Sequence, residues 1–223
     1  MNTSSLTGAV LFIGLATQAA AAPQLYETGP SEDAAFVRFV DALPNPVTVR
    51  TGKGGQLVLD PKATDTASTP WQAVKARTPL KATLEYEGQK QEVELAVEPS
   101  EFVTIAALPN GKGSWQVRSA REKATDFSAR KVALGLLNLD PNCSPASVKV
   151  AGKELSILEN ISPEGIQRRM LNPVDLAVDL YCAGQRVSEG VSLGTLRPGE
   201  RWTLLIIPEG GKTRLMPILD RLP

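Results

Sequence analysis

The stretch LKATLEYEGQKQEVELAVEPSEFVTIAALPNG, residues 80–111, decides the fold class. It contains three short runs rich in β-branched, aromatic or alternating residues, and it ends in the tight turn PNG at 109–111. In EVELAV (92–97), the aliphatic residues at 93, 95 and 97 alternate with Glu, Glu and Ala. This period of two predicts a strand with one face toward a core and the other toward solvent. The stretch therefore predicts consecutive β-strands joined by short turns.

Similar runs extend from this stretch in both directions, and Gly, Pro and Asn separate them. The further predicted strands are FVRFVDA (36–42), PVTVRT (46–51), QLVLD (56–60), SWQVRS (114–119), VALGLLNLD (132–140), ASVKVAG (146–152), KELSILEN (153–160), PVDLAVDLYCAG (173–184), VSLGTL (191–196), WTLLII (202–207) and TRLMPI (213–218). Short strands at regular spacing with turn signals between them are typical of a β-sandwich.

The second series of strands repeats the first. Asp41, Pro44 and Asn45 recur 97 residues later as Asn138, Pro141 and Asn142, and Pro99 and Glu101 recur 99 residues later as Pro198 and Glu200. A tandem duplication explains these spacings, although two unrelated sandwiches could also resemble each other by chance. We predict an all-β chain of two tandem immunoglobulin-like β-sandwich domains.

The predicted domain boundaries follow from this repeat. An N-terminal β-sandwich covers residues 23–119, a polar linker covers 120–130, and a C-terminal β-sandwich covers 131–223. Because each half has its own strands and turns, we expect the two halves to fold independently.

The first 22 residues have the layout of a secretory signal peptide. They contain no charged side chain, and the short apolar run LTGAVLFIGLA (6–16) is followed by small residues. A buried N-terminal strand is the alternative. The signal peptide predicts export to the periplasm, with cleavage between Ala19 and Pro23.

Charge and composition limit the classes of function. Residues 1–126 carry 12 basic and 14 acidic residues, for a net charge of −2, and residues 127–223 carry 12 and 10, for +2. Neither half has the positive field of a nucleic-acid-binding protein. The sequence has no histidine, which excludes Ser-His-Asp and Cys-His catalysis and His-ligated metal within this chain. We therefore predict no catalytic residue, no metal site and no cofactor.

The sequence contains two cysteines, Cys143 and Cys182. An even count in an exported chain predicts one disulfide bond between them. Two reduced, buried thiols are the alternative, whereas a metal site would need more ligands than this pair supplies.

Two polar segments, Lys62–Thr78 and Asn160–Leu171, interrupt the strand pattern and predict loops that are candidate interaction surfaces. In the first, Trp71 has polar neighbours and is the best candidate for an exposed aromatic platform. In the second half, a group of arginines would recognise carboxylates if it converged on one place, namely Arg168, Arg169, Arg186, Arg197 and Arg201. The alternative is that these arginines are ordinary surface charges.

Three segments resemble the alginate biosynthesis protein AlgF family. They are LYETGPSEDAAFVRFVDA (25–42), with its Leu-Tyr pair and Phe-Val-Arg-aliphatic strand, LNPVDLAVDLYCAG (171–184), with its Asn-Pro-Val strand, and LRPGERWTLLII (196–207), with its Gly-Glu turn. The resemblance extends over nearly the whole mature chain, from the first of these segments to the last.

The resemblance implies a periplasmic accessory protein for O-acetylation of an exopolysaccharide, either alginate or another acetylated polymer such as cellulose. The partners in that family are a membrane acetyl-transfer protein and periplasmic O-acetyltransferases of the Ser-His-Asp type. The accessory protein bridges them and does not transfer acetyl groups itself.

Two other functions compete with this one. A carbohydrate-binding module would hold the polymer through exposed aromatic residues or convergent arginines at one end of a sandwich. An enzyme acting through carboxylates would need a cleft with paired acidic groups whose pKa values are shifted. An exposed apolar patch would instead favour a protein partner.

Overall fold

The computed structural model describes residues 33–222, except residues 53–54, 64, 112 and 124–127. The predicted signal peptide, residues 1–22, lies outside the described residues. The described part of the chain is all-β, which confirms the predicted fold class. It contains no helix long and apolar enough to cross a membrane.

The described residues of the first half form eight strands. They are β1 (Ala34–Asp41), β2 (Val47–Thr51), β3 (Gln56–Leu59), β4 (Gln72–Lys75), β5 (Leu80–Tyr86), β6 (Gln89–Leu95), β7 (Glu101–Pro109) and β8 (Trp115–Lys123). The second half contributes β9 (Val132–Asn138), β10 (Ala146–Val150), β11 (Ser156–Ile161), β12 (Ile166–Leu171), β13 (Asp175–Cys182), β14 (Gln185–Thr195), β15 (Arg201–Glu209) and β16 (Lys212–Leu219).

The two halves have the same strand topology. The first sandwich pairs a sheet of order β4-β1-β7-β8 with one of order β3-β2-β5-β6, and the second pairs β12-β9-β15-β16 with β11-β10-β13-β14. Each strand thus corresponds to the one eight places later. In both halves the first strand runs parallel to the seventh, β1 with β7 and β9 with β15. The identical order and the shared parallel pair support a duplicated unit.

The alternating aliphatic and polar residues of the sequence form buried and exposed faces in the structure. Val93 and Leu95 of β6, and Val97 two residues after its end, pack against the core of the first sandwich, whereas Glu92 and Glu94 are exposed. This outcome confirms the inward and outward faces expected from EVELAV.

The two segments predicted as loops each contain an edge strand. Strand β4 lies within Lys62–Thr78 and pairs antiparallel with β1, and strand β12 lies within Asn160–Leu171 and pairs antiparallel with β9. Each of these strands pairs along only one of its backbone edges, so it tolerates polar side chains. Those polar residues interrupt the alternating apolar pattern by which a strand is predicted from sequence. The prediction of loops was therefore wrong over residues 72–75 and 166–171. Strand β8 also continues to Lys123, into the predicted linker.

The described residues form three hydrophobic cores. One lies inside each sandwich. The third joins the inward-facing sheets of the two halves, and its members include Val40 and Leu108 from the first half and Leu137, Leu205 and Ile207 from the second, all 0–1% exposed. We call β4-β1-β7-β8 and β12-β9-β15-β16 the inner sheets, because both of their faces are covered.

Candidate interaction surfaces

Trp71 is buried between the two sandwiches. Its side chain is 2% exposed; it packs edge-on against Phe102 at 5.0 Å and lies under the Arg38 guanidinium, whose Cζ is 4.4 Å from the ring centroid. The backbone N–H of Trp71 donates to Arg221 O at 2.8 Å. The prediction of an exposed aromatic platform at Trp71 was wrong, because the inner sheets pack face to face and cover the ring.

Arg168 and Arg201 are also buried between the two halves. The Arg168 guanidinium donates to both carboxylate oxygens of Glu122 at 2.7 Å, to Asp220 Oδ2 at 3.1 Å and to Thr203 Oγ1 at 2.9 Å. Arg201 lies 3.3 Å from carboxylate oxygens of Glu122 and Asp220. Both arginine side chains are 3% exposed, so these two candidates belong to the interior and not to an interaction surface.

These groups form one buried network, which we call the inter-sandwich ion cluster and which consists of Arg38, Glu122, Arg168, Arg201 and Asp220. Arg38 of the first half donates to Asp220 Oδ1 of the second at 2.5 Å, and Arg168 of the second half donates to Glu122 of the first. The pairing is therefore reciprocal. Burial lowers the pKa of Arg168, but the hydrogen bonds to Glu122 and the charge of Asp220 outweigh burial and raise that pKa above its usual value.

The register of the strands shows how the duplicated unit builds this cluster. Thr104 pairs with Ala120 in the first half and Thr203 with Ile218 in the second, which makes Glu122 and Asp220 equivalent. The arginines differ, because Arg38 comes from β1 whereas Arg168 comes from β12 and lies opposite Gly135 of β9. A Cβ at Gly135 would lie 2.6 Å from Arg168 Nη1. Glycine thus leaves the space that the Arg168 side chain occupies.

The three remaining arginine candidates are exposed and separate. Arg169 donates to the backbone carbonyls of Ser156 and Ile157 at 3.4 and 3.1 Å. Arg186 lies near Asp179 and Glu189 at the start of β14, and Arg197 follows the opposite end of the same strand. The structure therefore does not bring the five arginines together at one site.

One buried carboxyl group has a strongly shifted pKa. Asp41 is 0% exposed, and burial raises its pKa to about 7 although Leu43 N and Val47 N donate to its two oxygens. The equivalent position in the second half is Asn138, whose Nδ2 donates to Cys143 O. Since both side chains organise the same turn, Asp41 has a structural role at the end of β1 and is sealed from any substrate.

Strand β3 presents an apolar edge to solvent. Leu57 is 38% exposed and Val58 is 57% exposed, and β3 is the edge strand of its sheet. The equivalent edge of β11 is protected, because Arg169 covers two of its carbonyls and Glu159 is exposed along it. Charged side chains and covered carbonyls discourage strand pairing, and within the described part of the chain β3 has neither.

Two open grooves on the surface are lined largely by polar and charged residues. A groove of about 290 Å³ crosses the outer face of β2, β5 and β6 and is lined by residues that include Arg50, Lys81 and Glu94. A second, of about 410 Å³, separates β11 from β12 and is lined partly by Glu159 and Gln167. Among the described residues, no group of three or more Cys, Asp or Glu is placed to hold a metal ion.

The predicted disulfide is present. Cys143 and Cys182 are bonded, with their Cα atoms 4.7 Å apart, and the bond ties the turn after β9 to the end of β13. Both cysteines lie in the core of the second sandwich, so the bond stabilises that half from the inside and is not part of an interaction surface.

No protein-family model matches the chain, and no curated protein sequence matches it. Among solved structures, the C-terminal domain of AlgF from P. aeruginosa is similar, with 22% identity, coverage of 41% of this chain and 99% of that one, and a TM-score of 0.35. A putative cell adhesion protein from Bacteroides uniformis is 8% identical, over 86% of this chain and all of that one, with a TM-score of 0.32. The Bacillus anthracis TIE protein is 11% identical, over 82% of this chain and 34% of that one, with a TM-score of 0.28. Since these TM-scores are below 0.5, we base no functional conclusion on them.

Proposed function

We propose that this chain is a non-catalytic periplasmic accessory protein for O-acetylation of an exopolysaccharide, with alginate as the first candidate polymer. Its role is to bind a periplasmic O-acetyltransferase, and through it to cooperate with a membrane acetyl-transfer protein. The AlgF-like segments at 25–42, 171–184 and 196–207 carry this proposal.

Two observations support a role without catalysis. Acyl transfer to a sugar hydroxyl needs a general base with a pKa near the working pH, for which histidine is the usual choice, and the sequence has none. The carboxyl group whose pKa is near 7, Asp41, is buried and bound by two backbone N–H groups. The acetyl-transfer chemistry therefore belongs to a partner.

The exposed edge of β3 supports a protein partner. Leu57 and Val58 are the two exposed aliphatic residues on this strand, and its unpaired backbone groups can hydrogen-bond an added strand. An extended segment of the acetyltransferase would add to the sheet beside β3. The buried inter-sandwich ion cluster would keep both halves in one orientation while the partner binds.

Co-purification tests this proposal. The tagged mature chain should recover a periplasmic O-acetyltransferase from cells that make the polymer, and Leu57→Lys/Val58→Lys should reduce that recovery at least about fivefold, because two charges on an edge strand oppose pairing. The matched control is Leu155→Lys, which adds a charge at an exposed leucine in the β10–β11 turn of the other half and should leave recovery unchanged.

The purified chain should also show no turnover of 4-nitrophenyl acetate. Turnover that persists through purification and depends on a residue of this chain would contradict a non-catalytic role. Equal recovery of the acetyltransferase by the β3 variant and the wild type would place the partner elsewhere.

A further inference from the structure

Three cations lie together at one end of the second sandwich. Arg130 and Lys131 precede β9, Arg197 lies in the turn between β14 and β15, and all three are exposed. Hydrogen bonds join their loops, because Gly199 N donates to Lys131 O at 3.0 Å and Lys131 Nζ donates to Asn172 Oδ1 at 2.5 Å. We call Arg130, Lys131 and Arg197 the basic loop end.

These cations are not engaged in ion pairs within the described part of the chain. Arg130, Lys131 and Arg197 have no described carboxylate oxygen within 4 Å. Glu200 is close in sequence, but its Oε2 accepts from the backbone N–H of Arg197 at 2.9 Å and from Trp202 Nε1 at 3.0 Å. The guanidinium groups of the two arginines thus remain available to a ligand.

The first sandwich shows that the loop fold does not require these cations. Its equivalent turn has the same hydrogen bonds, with Glu98 N donating to Glu101 Oε2 at 2.9 Å and Ser100 N donating to Ala34 O at 2.8 Å. Ser100 and Gly199 also share a positive φ, of 61° and 81°.

The charge at these equivalent positions is reversed. The first sandwich has Asp33 where the second has Arg130, and Glu98 where the second has Arg197. In the first sandwich, Arg77 forms ion pairs with both acidic groups, at 3.9 Å from Asp33 and 3.8 Å from Glu98. Because one backbone geometry accommodates both signs, the turn of the second sandwich does not need positive charge in order to fold.

From this reversal, we propose that the basic loop end binds the carboxylate groups of an acidic polysaccharide chain. Arginine forms paired hydrogen bonds with a carboxylate, and three cations on neighbouring loops suit a polymer that carries one carboxylate on each sugar. A protein partner would need an apolar anchor at the centre of the contact. Among the described residues of these loops, the one large aliphatic residue that is exposed is Val174. This inference rests on the proposed function in one respect, namely that an acidic polysaccharide is present in the same compartment as this chain.

Binding of defined polymers to the full mature chain tests this inference. The probes are sodium polygalacturonate, its fully methyl-esterified form, which has the same backbone without charge, and poly-L-glutamate, which carries carboxylates on a peptide. We expect the wild type to bind polygalacturonate at low ionic strength, to lose affinity as salt is added, and to bind the ester and poly-L-glutamate at least about tenfold more weakly.

The decisive variant is Arg130→Ala/Lys131→Ala/Arg197→Ala, which should weaken polygalacturonate binding about tenfold or more. Its control, Lys75→Ala/Lys81→Ala/Lys90→Ala, removes the same charge from exposed lysines of the first sandwich and should change affinity less than about twofold. Circular dichroism and the unfolding midpoint should match the wild type for both variants.

Three results would overturn the inference: no binding of polygalacturonate by the wild type, an equal loss in the control variant, or equally tight binding of poly-L-glutamate through the same three residues. None of these results affects recovery of the acetyltransferase, which tests the proposed function separately.

Discussion

Replacing Asp220 by Asn tests how much one buried negative charge in the inter-sandwich ion cluster contributes to stability. Asp220 has a fully buried carboxylate that accepts hydrogen bonds from Arg38, Arg168 and the hydroxyl of Thr203. Asparagine has nearly the same shape and retains one acceptor oxygen. After the substitution, the cluster keeps three buried guanidinium groups but only one carboxylate, that of Glu122, which pairs with Arg168 and Arg201.

The expected loss is about 3 to 5 kcal/mol of unfolding free energy, the usual cost of removing one partner from a buried ion pair. For a chain of this size, such a loss lowers Tm by about 10 °C. The measurement is urea unfolding followed by both tryptophan fluorescence and circular dichroism, with the midpoint reduced and the slope m unchanged.

The matched control is Glu154→Gln, which removes one carboxylate that is 86% exposed and pairs with Lys149. A surface pair of this kind contributes at most about 1 kcal/mol. If Asp220→Asn costs no more than Glu154→Gln, the cluster does not hold the two halves together and the reasoning fails.

Three further predictions follow from burial, the disulfide and the shared core. The pKa of Asp41 rises from 3.8 to about 7 on folding, so the contribution of this group to stability is greatest below pH 4 and declines as pH rises to 7. In unfolding measured as a function of pH, the wild type should therefore lose up to about 4 kcal/mol relative to Asp41→Asn over that range. Parallel curves for the two proteins would contradict this. Titration of the denatured, unreduced protein should find no free thiol, and two titratable thiols would refute the bond. Cys143→Ser/Cys182→Ser should cost about 3–4 kcal/mol in urea unfolding, because the bond closes a loop with a sequence separation of 39. Fragments 23–123 and 128–223 should be less stable apart than together, because separation exposes the core between the inner sheets. Calorimetry of each fragment and of their mixture checks this, and two fragments as stable as the whole chain would contradict it.

Strand content and the repeat could be predicted from sequence because they depend on local patterns. Alternation in residues 92–97 identifies a face, and the turn residues Pro99 and Glu101 recur at a fixed spacing as Pro198 and Glu200. The disulfide followed from an even cysteine count in an exported chain. These signals need no knowledge of which sheet packs on which.

The contact between the two halves could not be found in this way, because it depends on tertiary packing. Arg38, Glu122 and Asp220 are distant in sequence, and their charge predicts exposure when each is considered alone. One signal did point to the contact: FVTIAAL (102–108) and WTLLII (202–207) are apolar on both faces, which is typical of a sheet covered on both sides. That pattern explains why Trp71, Arg168 and Arg201 are interior residues.

The acetyl content of the exopolysaccharide from a strain that lacks this chain tests the central claim most directly. Polymer should be isolated from the deletion strain and from the same strain complemented with the wild-type gene, and the ratio of acetyl groups to sugar residues should be measured by proton NMR. We predict that the deletion strain secretes polymer in normal amounts but with few or no acetyl groups, and that complementation restores them. A normal ratio of acetyl groups to sugars in the deletion strain would contradict the proposed function.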